Sequence, residues 1–188
     1  SFLSEIVNAK PIIGSRHMNM ESIYEYGSRR GFWRIYKLFM EREIPFTIFG
    51  VATALEKNKD VCEAIRKSSL GKTPIEVACH GLKWIDYQNV SKAVEKKHMN
   101  MAIKSIQKSI GERPLGWYTG RCSPNTLDLV MEEGGFLYCS DSYSDDLPYW
   151  IKIKNKKQLI IPYTLDNNDM RFATNQGFNS GEQFYTYL

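Results

Sequence analysis

Five side chains that can exchange a proton, share a hydrogen bond or carry a charge follow apolar, strand-like runs in this sequence: His80, Tyr118, Arg121, Asp141 and Asp145. An imidazole titrates near neutral pH, a guanidinium presents a rigid fork of donors, and carboxylates accept. In parallel barrels the C-terminal ends of the strands carry the chemistry, so this placement is the strongest purely physical pointer to a site. Taken alone, His80 followed by Gly81 reads more readily as structural than as catalytic. Cys79 beside it invites a nucleophile role, but a buried strand thiol is the better reading. His17 reads as a surface or loop residue and His98 as a helix-packing one.

The elements that must position these groups alternate between helical and strand-like patterns. Phe32, Ile35, Leu38 and Phe39 have helical spacing, and Glu41-Arg42-Glu43 closes that helix. Phe46 to Val51 is an aromatic and β-branched run expected to be a buried strand. A helix over Val61 to Lys67 is broken by the Ser68 to Pro74 loop. Ile75 to Cys79 is the next strand and delivers His80. The longest helix is expected from Ser91, as N-cap, to Ile110, with Met99, Ile103, Ile106 and Ile110 as its apolar stripe and Gly111 ending it. Leu115 to Tyr118 reads as a short strand. Ser123 at the cap and Pro124 in the first turn open a helix through Leu127, Val130 and Met131 to Gly134-Gly135. Phe136 to Ser140 and Leu159 to Pro162 are the remaining strands. Alternation at crossover length argues for parallel βαβ units.

Length and composition bound the reading. With 188 residues, 43% apolar and 24% charged, the chain suits one domain spanning 1–188. No run approaches the roughly 18 apolar residues of a membrane helix. The opening Ser1-Phe2-Leu3-Ser4-Glu5 lacks a secretion pattern, which points to the cytoplasm. A net charge of +4 gives little reason to expect nucleic acid. Lys152, Lys154, Lys156 and Lys157 read as a solvated strand-to-strand loop. Cys62, Cys79, Cys122 and Cys139 are widely spaced and read as reduced thiols.

Set beside Arg113-Pro114, Trp117-Tyr118 and Asp141, the His80 segment resembles the polysaccharide deacetylase (NodB-type) superfamily. Its enzymes bind a divalent metal through a His-x-x-x-His segment and an early Asp. Here the second His position is Trp84, whose indole cannot ligate zinc, and one imidazole is too few for a site of three protein ligands. The chain is more similar to the metal-independent, PuuE-type allantoinase branch. That resemblance runs through Arg16-His17-Met18, Met20 to Arg29, His80-Gly81 with Trp84 to Tyr87, Gly116 to Arg121, Glu132 to Tyr138, Asp145 to Trp150, Ile161 to Asp166 and Asn168 to Phe172. In that branch Trp occupies the second His position.

The resemblance implies an α/β chain forming a distorted, incomplete (β/α) barrel with parallel strands and outer helices. It implies hydrolytic opening of a cyclic amide, allantoin to allantoate, with no metal or other cofactor. His80 would do acid/base work or contact substrate, Arg121 would donate to the carbonyl or oxyanion, and Asp141 or Asp86 would orient His80. Trp84, Trp117 and Tyr118 would wall the pocket, with Glu21, Asp86 and Asp169 among the substrate-binding residues. Glu21, Tyr24, Tyr26 and Arg29 would lie on a loop over it, with a solvated helix start as the bland alternative; a structural ion pair with Asp145 or Asp146 is the bland alternative for Arg121. The family's early acidic segment and a C-terminal His loop are expected to lie outside 1–188, since a whole barrel takes about 250 residues, and activity in this span would be impaired. The expected partner is a small-molecule ureide, with an N-acetylated sugar as the alternative; neither nucleic acid nor membrane is expected. Two rival readings stand beside this one: a metal-dependent polysaccharide N-deacetylase, and a non-catalytic remnant whose open sheet edge is covered by a second copy. A homo-oligomer is expected.

Overall fold

The computed structural model describes residues 12–68 and 71–188. The opening segment, and Ser69 and Leu70 of the expected 68–74 loop, lie outside these residues.

Helix α1 (Met18–Tyr26) passes through a π-helical turn (Gly27–Gly31) into α2 (Phe32–Glu41). The loop expected over 21–29 is therefore helical. Strand β1 (Phe46–Gly50) is followed at once by α3 (Ala52–Lys57), a short helix not legible as a periodic pattern, and by α4 (Lys59–Ser68). Strand β2 (Ile75–Cys79) leads through a long loop to α5 (Lys92–Ile110). The Ser91 hydroxyl caps α5 by accepting from the Val94 N–H. Gly111 ends it with φ 97°, a left-handed conformation that suits glycine.

Strand β3 (Gly116–Trp117), helix α6 (Thr126–Glu133) and strand β4 (Tyr138–Cys139) complete the repeating part. α6 starts later than expected. Its N-cap is Asn125, reached through a turn in which the Asn125 N–H donates to the Ser123 hydroxyl (2.9 Å). The lysine-rich stretch expected as a loop is instead a hairpin of β5 (Tyr149–Ile153) and β6 (Lys156–Ile160), turning at Lys154-Asn155. Alternation of Ile151 and Ile153 with lysines puts one face inward and one in water. A short 3₁₀ turn (Asp169–Ala173) and α7 (Gly181–Tyr187) follow. No helix among the described residues is long and apolar enough to cross a membrane.

The sheet order is β1-β2-β3-β4-β6-β5, parallel throughout except for the antiparallel β5. It does not close on itself within the described residues. Gly50, Cys79, Trp117, Cys139 and Ile160 share one register row. Cys79, Trp117, Cys139 and Ile160 in that row, with Ile75 and Val77, pack against Leu55, Ile65, Met99, Ile106 and Leu129 from the outer helices. Each such large side chain, buried from water, contributes about 1.5–3 kcal/mol. Strand alternation sends the neighbouring side chains to the opposite, concave face. Thr47, Phe49, Glu76, Ala78, His80, Tyr118 and Tyr138 lie there.

Candidate functional site

The ladder continues one residue past that row, and this step builds the site. The His80 N–H donates to Gly50 O (2.9 Å), Tyr118 N–H to Cys79 O (3.0 Å), Ser140 N–H to Trp117 O (2.8 Å) and Ile161 N–H to Cys139 O (3.1 Å). His80, Tyr118, Ser140 and Ile161 thus stand side by side at the C-terminal rim, on the concave face.

Around them is an aromatic cluster. The rings of His80 and Tyr118 are 5.1 Å apart edge to face, and those of His80 and Trp84 are 5.8 Å apart. Tyr118 stacks flat on Tyr163 at 4.7 Å, and Phe49 leans on both. Tyr24 brings α1 against Trp84 (5.9 Å). The Arg121 guanidinium lies over the Trp84 ring, 5.4 Å from its centre. A planar cation above an indole is held both by the ring quadrupole and by its weak hydration. The Trp84 indole N–H is itself buried and makes no hydrogen bond.

Electrostatics follow from burial. Desolvation and the hydrogen bond to Tyr143 (3.0 Å) keep the Tyr118 phenol above its ordinary pKa, so it stays a neutral hydroxyl. Burial also raises the Asp141 carboxyl above its usual value, opposed by the donors it receives from Gly120 and Thr119. Those donors are Thr119 N–H and Gly120 N–H on one oxygen (2.9 and 2.7 Å) and the Thr119 hydroxyl on the other (2.9 Å). The Trp117 indole N–H also favours that carboxylate, although it makes no hydrogen bond of normal geometry. The Cys79 thiol is fully buried and pushed up to about 12, which leaves it no thiolate at neutral pH.

The structure brings together His80, Trp84, Tyr118 and Arg121 and gives the other sequence candidates surroundings of their own. Asp141 grips the 119–120 backbone and so holds the loop that carries Arg121. Asp86 is exposed and accepts from the Gln88 N–H (2.7 Å) in a local turn. Trp117, expected in the pocket wall, is 2% exposed and packs on Phe136 in the helix-side core. The reason is alternation: its neighbour Tyr118 takes the concave face. Glu21 is bound to Arg16 on α1. Asp145 accepts from the Leu147 N–H (3.1 Å) and forms no ion pair with Arg121. Asp169 lines a cavity of about 390 Å³ beside the cluster, together with Phe49, Ser140, Tyr163 and Asn168.

Phe49, Tyr163 and Glu95 were not singled out by residue pattern. Phe49 reads as an ordinary strand aromatic, and Tyr163 falls just past the strand ending at Pro162. Glu95 carried a usable signal: it lies one turn before Met99 on the apolar stripe of α5.

Among the described residues no three His, Cys, Asp or Glu side chains converge. Trp84 stands at the second His position of the resemblance, and its indole does not ligate zinc.

Comparison with known proteins places these features. Residues 19–133 match the family model for polysaccharide deacetylase. A Schizosaccharomyces pombe protein with the provisional name polysaccharide deacetylase is 39% identical over 92% of this chain. The crystal structure of Puue allantoinase superimposes over the whole chain with a TM-score of 0.90 and 54% identity. A Pseudomonas aeruginosa structure, provisionally named a polysaccharide deacetylase, gives the same TM-score and identity. This chain spans 57% of the S. pombe protein and 61% of each of the two structures.

Proposed function

The chain belongs to the polysaccharide deacetylase family, and from that premise we propose that it is a carbon–nitrogen hydrolase of the allantoinase kind, opening a cyclic amide without a metal. The observation that carries this reading is Trp84: four residues after His80, it lies beneath the Arg121 guanidinium and beside the His80 imidazole. A metal-ligand position has become part of an aromatic wall suited to a small planar ring. The 54% identity and 0.90 TM-score to an allantoinase structure support the same assignment.

The chemistry asks for a base to take a proton from water, donors for the oxyanion, and an acid for the leaving ring nitrogen. His80 is the one imidazole in the cluster and fills the acid/base role, taking the water proton and returning it to nitrogen as the C–N bond breaks. Arg121 donates to the carbonyl oxygen as it gains charge. Trp84 and Tyr118 hold the ring, and Tyr118, kept neutral by burial, can also donate. Asp169 faces the adjoining cavity and can accept from ring or ureido N–H groups.

Allantoin supplied to the purified protein should be converted to allantoate, equally well after dialysis against a chelator, and His80→Ala should abolish conversion. Allantoin turnover that needs an added divalent ion would overturn the metal-free reading, and metal-requiring turnover of N-acetylated sugar in place of allantoin would establish the deacetylase reading. Folded protein inert to both substrates would support a non-catalytic role.

A further inference from the structure

We propose that Glu95 is a positioning residue for Arg121, setting the guanidinium through the loop that carries it; the proposal rests on the hydrolase reading above, in which Arg121 is the oxyanion donor. Glu95 is 2% exposed on the buried stripe of α5, where Met99, Ala102, Ile103 and Ile106 are its successors. A carboxyl there is unfavourable for packing alone, since an apolar residue would fill the place without desolvating a charge. No Lys or Arg among the described residues pairs with it. Its two partners are hydroxyls: Ser123 Oγ donates to Oε2 at 2.6 Å, and Thr126 Oγ1 donates to Oε1.

Both hydroxyls are also acceptors. Asn125 N–H donates to Ser123 Oγ (2.9 Å), and Ser123 N–H donates to Thr126 Oγ1 (2.8 Å). With each hydroxyl receiving a backbone N–H, its own proton is directed to Glu95. The network is closed and fixes residues 123–126 as a unit.

The other end of the same loop is held by a second carboxylate. Asp141 binds the N–H groups of Thr119 and Gly120, and the Tyr87 N–H donates to the Arg121 carbonyl (3.1 Å). Arg121 is therefore suspended between two clamps, Asp141 before it and Glu95 after it. Release of either allows the backbone at 121 to shift. A displacement of about 1 Å at a catalytic group can cost on the order of 100-fold in rate.

The test uses Glu95→Gln, which keeps size and removes one acceptor, and Thr126→Val, which removes one donor while keeping shape and leaves Glu95 in place should the first variant fail to fold. With allantoin as substrate, each should lower kcat about 10- to 100-fold with a smaller change in KM. The emission of Trp84, isolated by subtracting the spectrum of Trp84→Phe, should move towards its value in Arg121→Ala, because the guanidinium no longer sits over the indole. Folded variants with wild-type kcat and unmoved Trp84 emission would overturn the proposal. If the wild type turns over no allantoin, the hydrolase reading fails by itself, and Trp84 emission then decides whether Glu95 sets Arg121.

Discussion

Replacing Gly116 by alanine should destabilise the protein through one identifiable collision. A Cβ at this position would lie 2.1 Å from Cζ and 2.2 Å from the hydroxyl oxygen of Tyr138. Tyr138 lies across β3 because its hydroxyl donates to Glu76 on β2 (2.8 Å), whose other oxygen accepts from Thr47 on β1 (2.8 Å). Burial and the adjacent Glu76 hold the phenol above its ordinary pKa, so it remains a donor. The added methyl forces the ring aside. Losing a hydrogen bond to a carboxylate costs about 1.5–3 kcal/mol, and forcing the ring out of its place about 1–3 kcal/mol. Reduced freedom of the unfolded chain returns about 0.4–1 kcal/mol. These overlap in part, and a net loss of about 2–4 kcal/mol is expected. Urea unfolding followed by circular dichroism would be measured for wild type, Gly116→Ala, Tyr138→Ala and the double variant. With the ring gone, the methyl should be neutral or stabilising, giving a coupling of about 2–4 kcal/mol. An equal cost of Gly116→Ala in both backgrounds would refute the steric argument.

Arg121→Lys should lose about 10²–10³ in kcat on allantoin, because a point charge does not replace a planar donor fork; wild-type kinetics in that variant would remove Arg121 from the reaction. Iodoacetamide at pH 8 should label half-exposed Cys122 before Cys79 or Cys139, both of which are buried and pushed up to about 12; mass spectrometry of the native protein reads the order, and early labelling of Cys79 would contradict its burial. His98 touches Tyr87 (3.2 Å), and desolvation, with Lys83 and Lys97, lowers its pKa. The unfolded chain then takes up a proton at pH values where the folded one does not, so stability should fall as pH drops below about 6.5 and be unaffected by this group above it. An NMR titration midpoint for His98 below 6.5, and a flatter acid limb in His98→Gln, would bear this out; a midpoint above 6.5 would not.

The order of strands and helices was legible because periodicity is local. Ser91 and Gly111 bound α5 as their chemistry requires, and the five chemistry-bearing residues do follow strands. Loop bookkeeping was less legible. Ser123 looks like a cap from its neighbours alone, and its oxygen does accept the Asn125 N–H, but its proton goes to Glu95, 28 residues away. The lysine run, though it alternates with Ile151 and Ile153, reads as a solvated loop by its charge, whereas pairing of β5 with β6 makes it a hairpin.

The site divides the same way. The sequence by itself determined which groups are available: one imidazole at position 80, indole in place of a second one, and a guanidinium on a glycine-flanked loop. Only the tertiary structure decided which of them meet. Register across β1, β2, β3, β4 and β6 put His80 beside Tyr118, and strand parity sent Trp117 into the core. Asp141 was drawn to the backbone of 119–120 and Asp86 to its own turn. Residue types are written in the chain, but facing and pairing depend on parallel strands far apart in sequence, where a shift of one residue turns a side chain from the core to the pocket.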